Sequence, residues 1–188
     1  ERPAERIRGL DSLPPEVEIA TGAPFPDCEP FDLVVPSPGV PAARWAPRAR
    51  LAWGDLELAA RALSVPILAV TGTNGKSTTT LLVLAMLRAA GLRARAAGNV
   101  GTPALDLVGE PLDAVVLEVS SFQLEAVDAF RPRVAVVLNV TPDHLDRHGS
   151  LAAYAATKAR SLRRQGPGGA AVLGVDDPLV REMAGATR

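Results

Sequence analysis

Between residues 65 and 175 the chain alternates short, nearly uninterrupted apolar runs with longer segments whose apolar positions recur at helical spacing. The runs PILAV (66–70), DAVVLEV (113–119), VAVVLNV (134–140) and GGAAVLGV (168–175), with a shorter one near 93–97, are predicted strands. Helices are predicted from Lys76 to Ala90 with a stop at Gly91, after Pro103, over SFQLEAVDAF, and over LAAYAATKARSLRR behind the cap Ser150. Strands apolar on both faces and separated by helices predict a parallel sheet covered on each side. Such sheets bind ligands beyond the carboxyl ends of their strands, and each polar cluster considered below falls at one of those ends.

Before Val65 the pattern is irregular. EVEIATG (16–22) and FDLVVPSPG (31–39) read as strands feeding loops, and GDLELAARAL (54–63) reads as a connecting helix. This half is expected to be part of a small α/β unit, joined near Ser64-Val65-Pro66 to the regular second half.

Composition narrows the classes. A content of 47% hydrophobic and 22% charged residues suits a globular core. A net charge of −1 without a long basic run argues against nucleic acid or an anionic membrane as partner. The single Cys28 excludes an internal disulfide and a cysteine metal cluster. No apolar stretch approaches the roughly 20 residues of a membrane span. No signal-peptide pattern is seen, and the start ERPAERIRG, without an initiator Met, is expected to be that of a piece of a longer protein.

Of the 20 basic residues only Lys76 and Lys158 are lysines, so both positions select an amine over a guanidinium. Lys76 lies in VTGTNGKSTTT, after a strand and at a helix start. There the loop Gly72-Thr73-Asn74-Gly75 and the residues Lys76, Ser77 and Thr78 suit a phosphate-binding loop. Glycines turn backbone N–H groups toward an anion, the Lys76 amine reaches the terminal phosphates, and the Ser77 hydroxyl suits Mg²⁺. Only two residues separate the glycines, where the common pattern has four. A glycine-rich turn with a snorkelling lysine is the alternative.

Glu118 ends an apolar strand, where a carboxylate needs a partner or a cation; a solvent-facing glutamate is the alternative. The loop NVTPDHLDRHGS (139–150) holds both histidines, His144 and His148, with Asp143 and Asp146. Such residues also build turns, but the loop's place beyond a strand favours a site. On the helix after Ser150, Leu151, Tyr154, Lys158 and Leu162 share one face, while Arg160, Arg163 and Arg164 lie mostly elsewhere. A lysine on the apolar side either snorkels or is buried as a neutral amine able to take up CO₂ as a carbamate, which arginine cannot do.

Together VTGTNGKSTTT, GNVGTPALDL, EVSSFQLE, NVTPDHLDRHGS and YAATKARSL, in this order, resemble the Mur ligases, with SSFQLE most similar to the D-glutamate-adding member. FDLVVPSPGVP and GDLELA extend the resemblance more weakly. It implies a P-loop-containing, mostly parallel doubly wound α/β central domain over residues 64–188. A partial Rossmann-like UDP-binding domain with its linker would cover residues 1–63. It implies a cytoplasmic, monomeric enzyme of peptidoglycan synthesis that uses ATP to activate UDP-N-acetylmuramoyl-L-alanine as an acyl phosphate for attack by D-glutamate. By the same resemblance Lys76 would hold the γ phosphate, and Ser77 with Glu118 a first Mg²⁺. His144 with carbamylated Lys158 would hold a second Mg²⁺. Asn99, Ser120 and Gln123 would contact substrate, and the turn at Ser37 and Gly39 would offer backbone donors to the UDP part. His148, Asp143 and Asp146 would build the loop.

Family members carry a strand and glycine loop ahead of the position of Glu1 and a C-terminal domain, so the 188 residues alone are expected not to complete ligation. Rival readings are a diaminopimelate- or lysine-adding Mur enzyme, folylpolyglutamate synthase, and a nucleotide-binding module without catalysis. A P-loop GTPase fits poorly, because Val140 stands where the base-reading lysine would be.

Overall fold

The structure, a computed structural model, describes residues 12–20 and 24–186. Five strands, β1 (Ile67–Thr71), β2 (Ala94–Gly98), β3 (Ala114–Glu118), β4 (Val134–Val137) and β5 (Ala170–Leu173), form one sheet in the order β2-β3-β1-β4-β5. Each neighbouring pair is parallel, with β1 between β3 (Val70 opposite Glu118) and β4 (Thr71 opposite Val137). From β1 the chain crosses to one edge and later reaches the other side with β4. Its connections therefore diverge between β1 and β4, the kind of crevice in which α/β sheets hold ligands.

Helices cover both faces, as the unalternating strands predict. They are α1 (Ala42–Trp45), α2 (Asp55–Ala62), α3 (Lys76–Ala89), α4 (Ser121–Leu124), α5 (Leu145–His148), α6 (Leu151–Ala159) and α7 (Pro178–Glu182). Leu68, Val70 and Val116 point to one face and pack with Leu84 of α3. Ile67, Ala69, Val115 and Leu117 point to the other, against Leu56 and Ala59 of α2 and the 3₁₀ turn Ala104–Leu107. Next to them Ala135 and Val137 pack on Tyr154, Leu162 and Val180. A fully buried side chain such as Leu56 contributes roughly 1.5–3 kcal/mol through removal from water. The helix α2, expected as a connector, is thus docked on the sheet.

Several expected elements are shorter or missing. Residues 16–20 pair with no strand among the described residues, and 21–22 lie outside them. Within 31–39 only Val34 pairs, in an isolated bridge to Ala52, beside a small cluster of Cys28, Trp45 and Ala126. The helix expected over 121–130 stops at Leu124 because side chains take over the next backbone groups. Arg160 donates to the carbonyls of Glu125 and Val127, and the buried Glu57 accepts from the N–H groups of Asp128 and Ala129. The helix after Pro103 is a single 3₁₀ turn. The one after Ser150 ends at Ala159, where three-residue hydrogen bonds such as Leu162 N–H to the Ala159 carbonyl tighten the chain into turns. The loop 139–150 contains the unforeseen α5.

Candidate functional site

At the carboxyl end of β1 the chain turns through Gly72–Gly75 into α3. Gly75 caps that helix at φ 84°, a conformation costly for any residue with a Cβ. The loop is braced by the segment following β4. Thr73 N–H donates to the Asn139 carbonyl at 2.9 Å and Asn74 N–H to Asn139 Oδ1 at 2.8 Å. In return Asn139 Nδ2 donates to the Asn74 carbonyl, and Thr141 N–H to Thr73 Oγ1. Neither Asn139 nor Thr141 stood out in sequence beyond lying in the polar loop. Ser77 and Thr78 are exposed in the first turn of α3, where backbone N–H groups have no intrahelical partner.

Both lysines come to this loop. Lys76 Nζ donates to the Thr73 carbonyl and Lys158 Nζ to the adjacent Gly72 carbonyl, each at 2.9 Å. Lys158 is 1% exposed, so it does not snorkel, and its amine lies 4.3 Å from the centre of the Tyr154 ring. Burial foremost, and then the Lys76 charge, bring its pKa down to about 7 against the opposing pull of Asp143. A large fraction is therefore neutral amine near neutral pH.

Glu118 is buried, not solvent-facing. Its Oε1 accepts from Asn99 Nδ2 at 2.9 Å, while Oε2 is buried with no partner among the described residues. This pairing depends on Gly98. At φ 108° and with no Cβ to strike the Glu118 carbonyl, Gly98 lets Asn99 N–H reach that carbonyl at 2.9 Å. A buried carboxylate oxygen without a donor is unfavourable by itself and fits a divalent cation.

His144 begins α5 at φ 51°, its Nε2 3.5 Å from Asp143 Oδ2 and its ring 4.8 Å from that of Phe122. His148 is enclosed, with Nε2 3.0 Å from Ser121 Oγ. Burial draws its pKa below the ordinary value, opposed by Glu125. Ser120 caps α4 by accepting from Gln123 N–H, and Gln123 Oε1 accepts in turn from the Ser120 N–H and hydroxyl. Gln123 Nε2 donates to Asp55 Oδ2 at 2.9 Å. The Gln123 amide, expected to contact substrate, is thus engaged at both ends in tying α4 to α2.

A cleft of about 120 Å³ gathers Lys76, Asn99, Ser120, His144 and Lys158, with Phe122 and Tyr154 as aromatic walls. Ser37 and Gly39 do not line it. They lie in an exposed turn where Val40 N–H donates to the Ser37 carbonyl, and the carbonyls of residues 38–40 accept from Arg147, a residue the sequence did not single out. Among the described residues no three His, Cys, Asp or Glu side chains converge as a metal cage. The expected sets need none, since each pairs one such residue with a hydroxyl or a modified amine.

Residues 70–188 match the sequence pattern of the Mur ligase middle domain. The chain belongs to the Mur ligase family. Two curated relatives bear the name UDP-N-acetylmuramoylalanine–D-glutamate ligase. The one from Pelotomaculum thermopropionicum is 49% identical over 92% of this chain and 40% of its own length. The one from Anaeromyxobacter dehalogenans is 55% identical over 84% and 36%. The chain therefore spans about two fifths of the length of these family members. In fold it is similar to the MurF ligase from Thermotoga maritima solved in complex with ADP, with a TM-score of 0.54 and 21% identity over 74% of this chain and 40% of that one. Both the middle-domain match and this fold agree with the parallel α/β sheet. No helix among the described residues is long and apolar enough to cross a membrane.

Proposed function

We propose that the chain supplies the ATP-binding centre, with part of the UDP-binding portion, of a ligase joining D-glutamate to UDP-N-acetylmuramoyl-L-alanine in peptidoglycan synthesis. The observation that carries this reading is the arrival of both lysines on neighbouring carbonyls of one glycine loop, with a buried glutamate oxygen that has no partner among the described residues at the end of the adjacent strand. The names of the relatives favour D-glutamate over the other amino acids of the family. In this reading residues 1–63 belong to the UDP-binding portion and its linker, residues 64–188 to the ATP-binding portion, and the protein is a cytoplasmic monomer.

The roles follow from the chemistry of each group. Backbone N–H groups of residues 75–78 cradle the ATP phosphates while those of Thr73 and Asn74 brace the loop on Asn139, and the compact ammonium of Lys76 neutralises the γ phosphate. Ser77 and Glu118 would hold one Mg²⁺, and His144 with Lys158 a second. Bound there, Mg²⁺ supplies charge neutralisation for phosphoryl transfer to the substrate carboxylate. The neutral Lys158 amine adds CO₂ and releases one proton, giving a carbamate with two oxygen donors in place of a nitrogen. Asn99 orients Glu118, and Asn99 and Ser120 face the substrate. Gln123 acts by fixing Ser120, and the turn at Ser37 and Gly39 lies on the UDP side.

Phosphate release by the complete enzyme containing this chain tests the reading. With UDP-N-acetylmuramoyl-L-alanine present, release is expected with D-glutamate and not with L-lysine, diaminopimelate or L-glutamate. Release with one of the latter instead would overturn the substrate assignment. For Lys158, a carbamate carbon signal from ¹³CO₂ is expected in the wild type and absent in Lys158→Arg.

A further inference from the structure

Arg147 lies in α5 between the two histidines, and its side chain is only 11% exposed. Nη2 donates to Glu125 Oε2 at 2.6 Å and Nε to Glu125 Oε1 at 3.1 Å. The same guanidinium donates to the carbonyls of Val40 at 3.0 Å, Pro38 at 3.1 Å and Gly39 at 3.3 Å. It also lies 4.6 Å over the Phe122 ring, against which His144 packs. One cation thus joins the turn at 38–40, the end of α4 and the segment 143–149. A guanidinium fork suits this, because its five N–H donors are spread over three nitrogens of a rigid plane, whereas an ammonium has three on a single atom.

His144 needs such an anchor. It is the one non-glycine residue with positive φ among the described residues, a conformation costing on the order of 1–3 kcal/mol that persists only where the surroundings impose it. Its own side chain is 48% exposed and touches the half-exposed Asp143 at 3.5 Å, which holds little. The Arg147 and His148 N–H groups both donate to the His144 carbonyl at 3.0 Å, tying the unusual backbone to the clamped residue.

We propose that Arg147 is a positioning residue that holds His144 at the cleft by fastening the 143–149 segment at once to Glu125 and to the carbonyls of the 38–40 turn. This deepens the metal-side role given to His144 above and rests on it for its consequence in function. It also makes the first half of the chain part of the site without lining it.

The two histidines of the chain give two sets of imidazole NMR signals, assigned with His144→Gln. In Arg147→Lys and Arg147→Gln the His144 ring signals are expected to move toward those of a free histidine, while the amide signals of β1, β3 and α3 stay in place. Unchanged His144 signals in both variants overturn the proposal. Glu125→Gln, which weakens the clamp from its other side, is expected to act in the same direction. Global unfolding of all three variants also overturns it, because a local anchor does not carry the whole sheet.

The second readout is Mn²⁺ affinity in the presence of ADP. His144→Gln and Arg147→Lys are each expected to weaken it by about tenfold, as loss of a metal ligand's support does, and the double variant no further. Additive losses overturn the proposal, since Arg147 would then act by another route. If His144→Gln leaves Mn²⁺ affinity unchanged, the metal role of His144 fails. The positioning claim is then decided by the ring signals alone.

Discussion

Replacing Lys158 by Met keeps an apolar stem of four heavy atoms and removes the amine at its tip. The folded protein holds this amine at a pKa of about 7, whereas the unfolded chain holds it at its ordinary 10.5. The unfolded state therefore binds the extra proton between these values, and stability rises with pH across that window. Below pH 7 the buried ammonium destabilises the fold in full, on the order of 5 kcal/mol for this separation. Against that stands the bond to the Gly72 carbonyl that the amine makes and a thioether cannot, about 1 kcal/mol. The Met variant is thus expected to match or exceed the wild type at pH 6. Between pH 6 and pH 9 the wild type should gain about 3 kcal/mol relative to the variant. Urea unfolding in CO₂-free buffer at both pH values measures this, since the amine itself is the largest titration difference between the two proteins and His148 feels its charge only as the last of several causes. A difference between the two proteins that does not change with pH refutes the assignment of a neutral buried amine, and with it the ready formation of a carbamate.

Three further outcomes test other parts of the structure. Glu57→Ala removes a carboxylate that is 0% exposed and bonded to Arg61, Asp128 N–H and Ala129 N–H. Urea unfolding should show a loss on the order of 3–5 kcal/mol. Asp113 is held at a pKa of about 2 by side-chain and backbone hydrogen bonds to Arg93, so its contribution is present above pH 4 and lost as pH falls toward 2. Asp113→Asn should accordingly flatten the acid end of the stability profile measured by circular dichroism, and an unchanged slope would contradict this. Lys76→Ala should lower Mg·ATP affinity at least tenfold in calorimetry while shifting the urea midpoint little, because the half-buried side chain gives up a single bond to Thr73.

How much of this was legible along the chain depended on how local the signal was. The β1–loop–α3 unit was readable because glycine, lysine and strand pattern lie within a dozen residues. Lys158 was readable because helical spacing placed it with Tyr154 and Leu162, and both prove buried with it. The short α4 was not, since its end is decided by Arg160 and Glu57, which are remote from it in sequence. Arg147 carried no signal in a chain rich in arginine, because its partners at 38–40 lie more than a hundred positions away. Gln123 looked like a ligand-facing amide, and only the position of Asp55 reveals that its donor is engaged.

The place of β1 in the middle of the sheet has a consequence for synthesis. Its two neighbours are β3 and β4, so the strand that carries the glycine loop emerges from the ribosome well before either of them. Until Val137 has been translated and has left the exit tunnel, one edge of β1 is bare, and until Glu118 both are. A nascent chain of this sequence thus presents a largely apolar strand with unpaired backbone N–H and C=O groups for some tens of residues of elongation, a substrate for chaperones at the tunnel mouth.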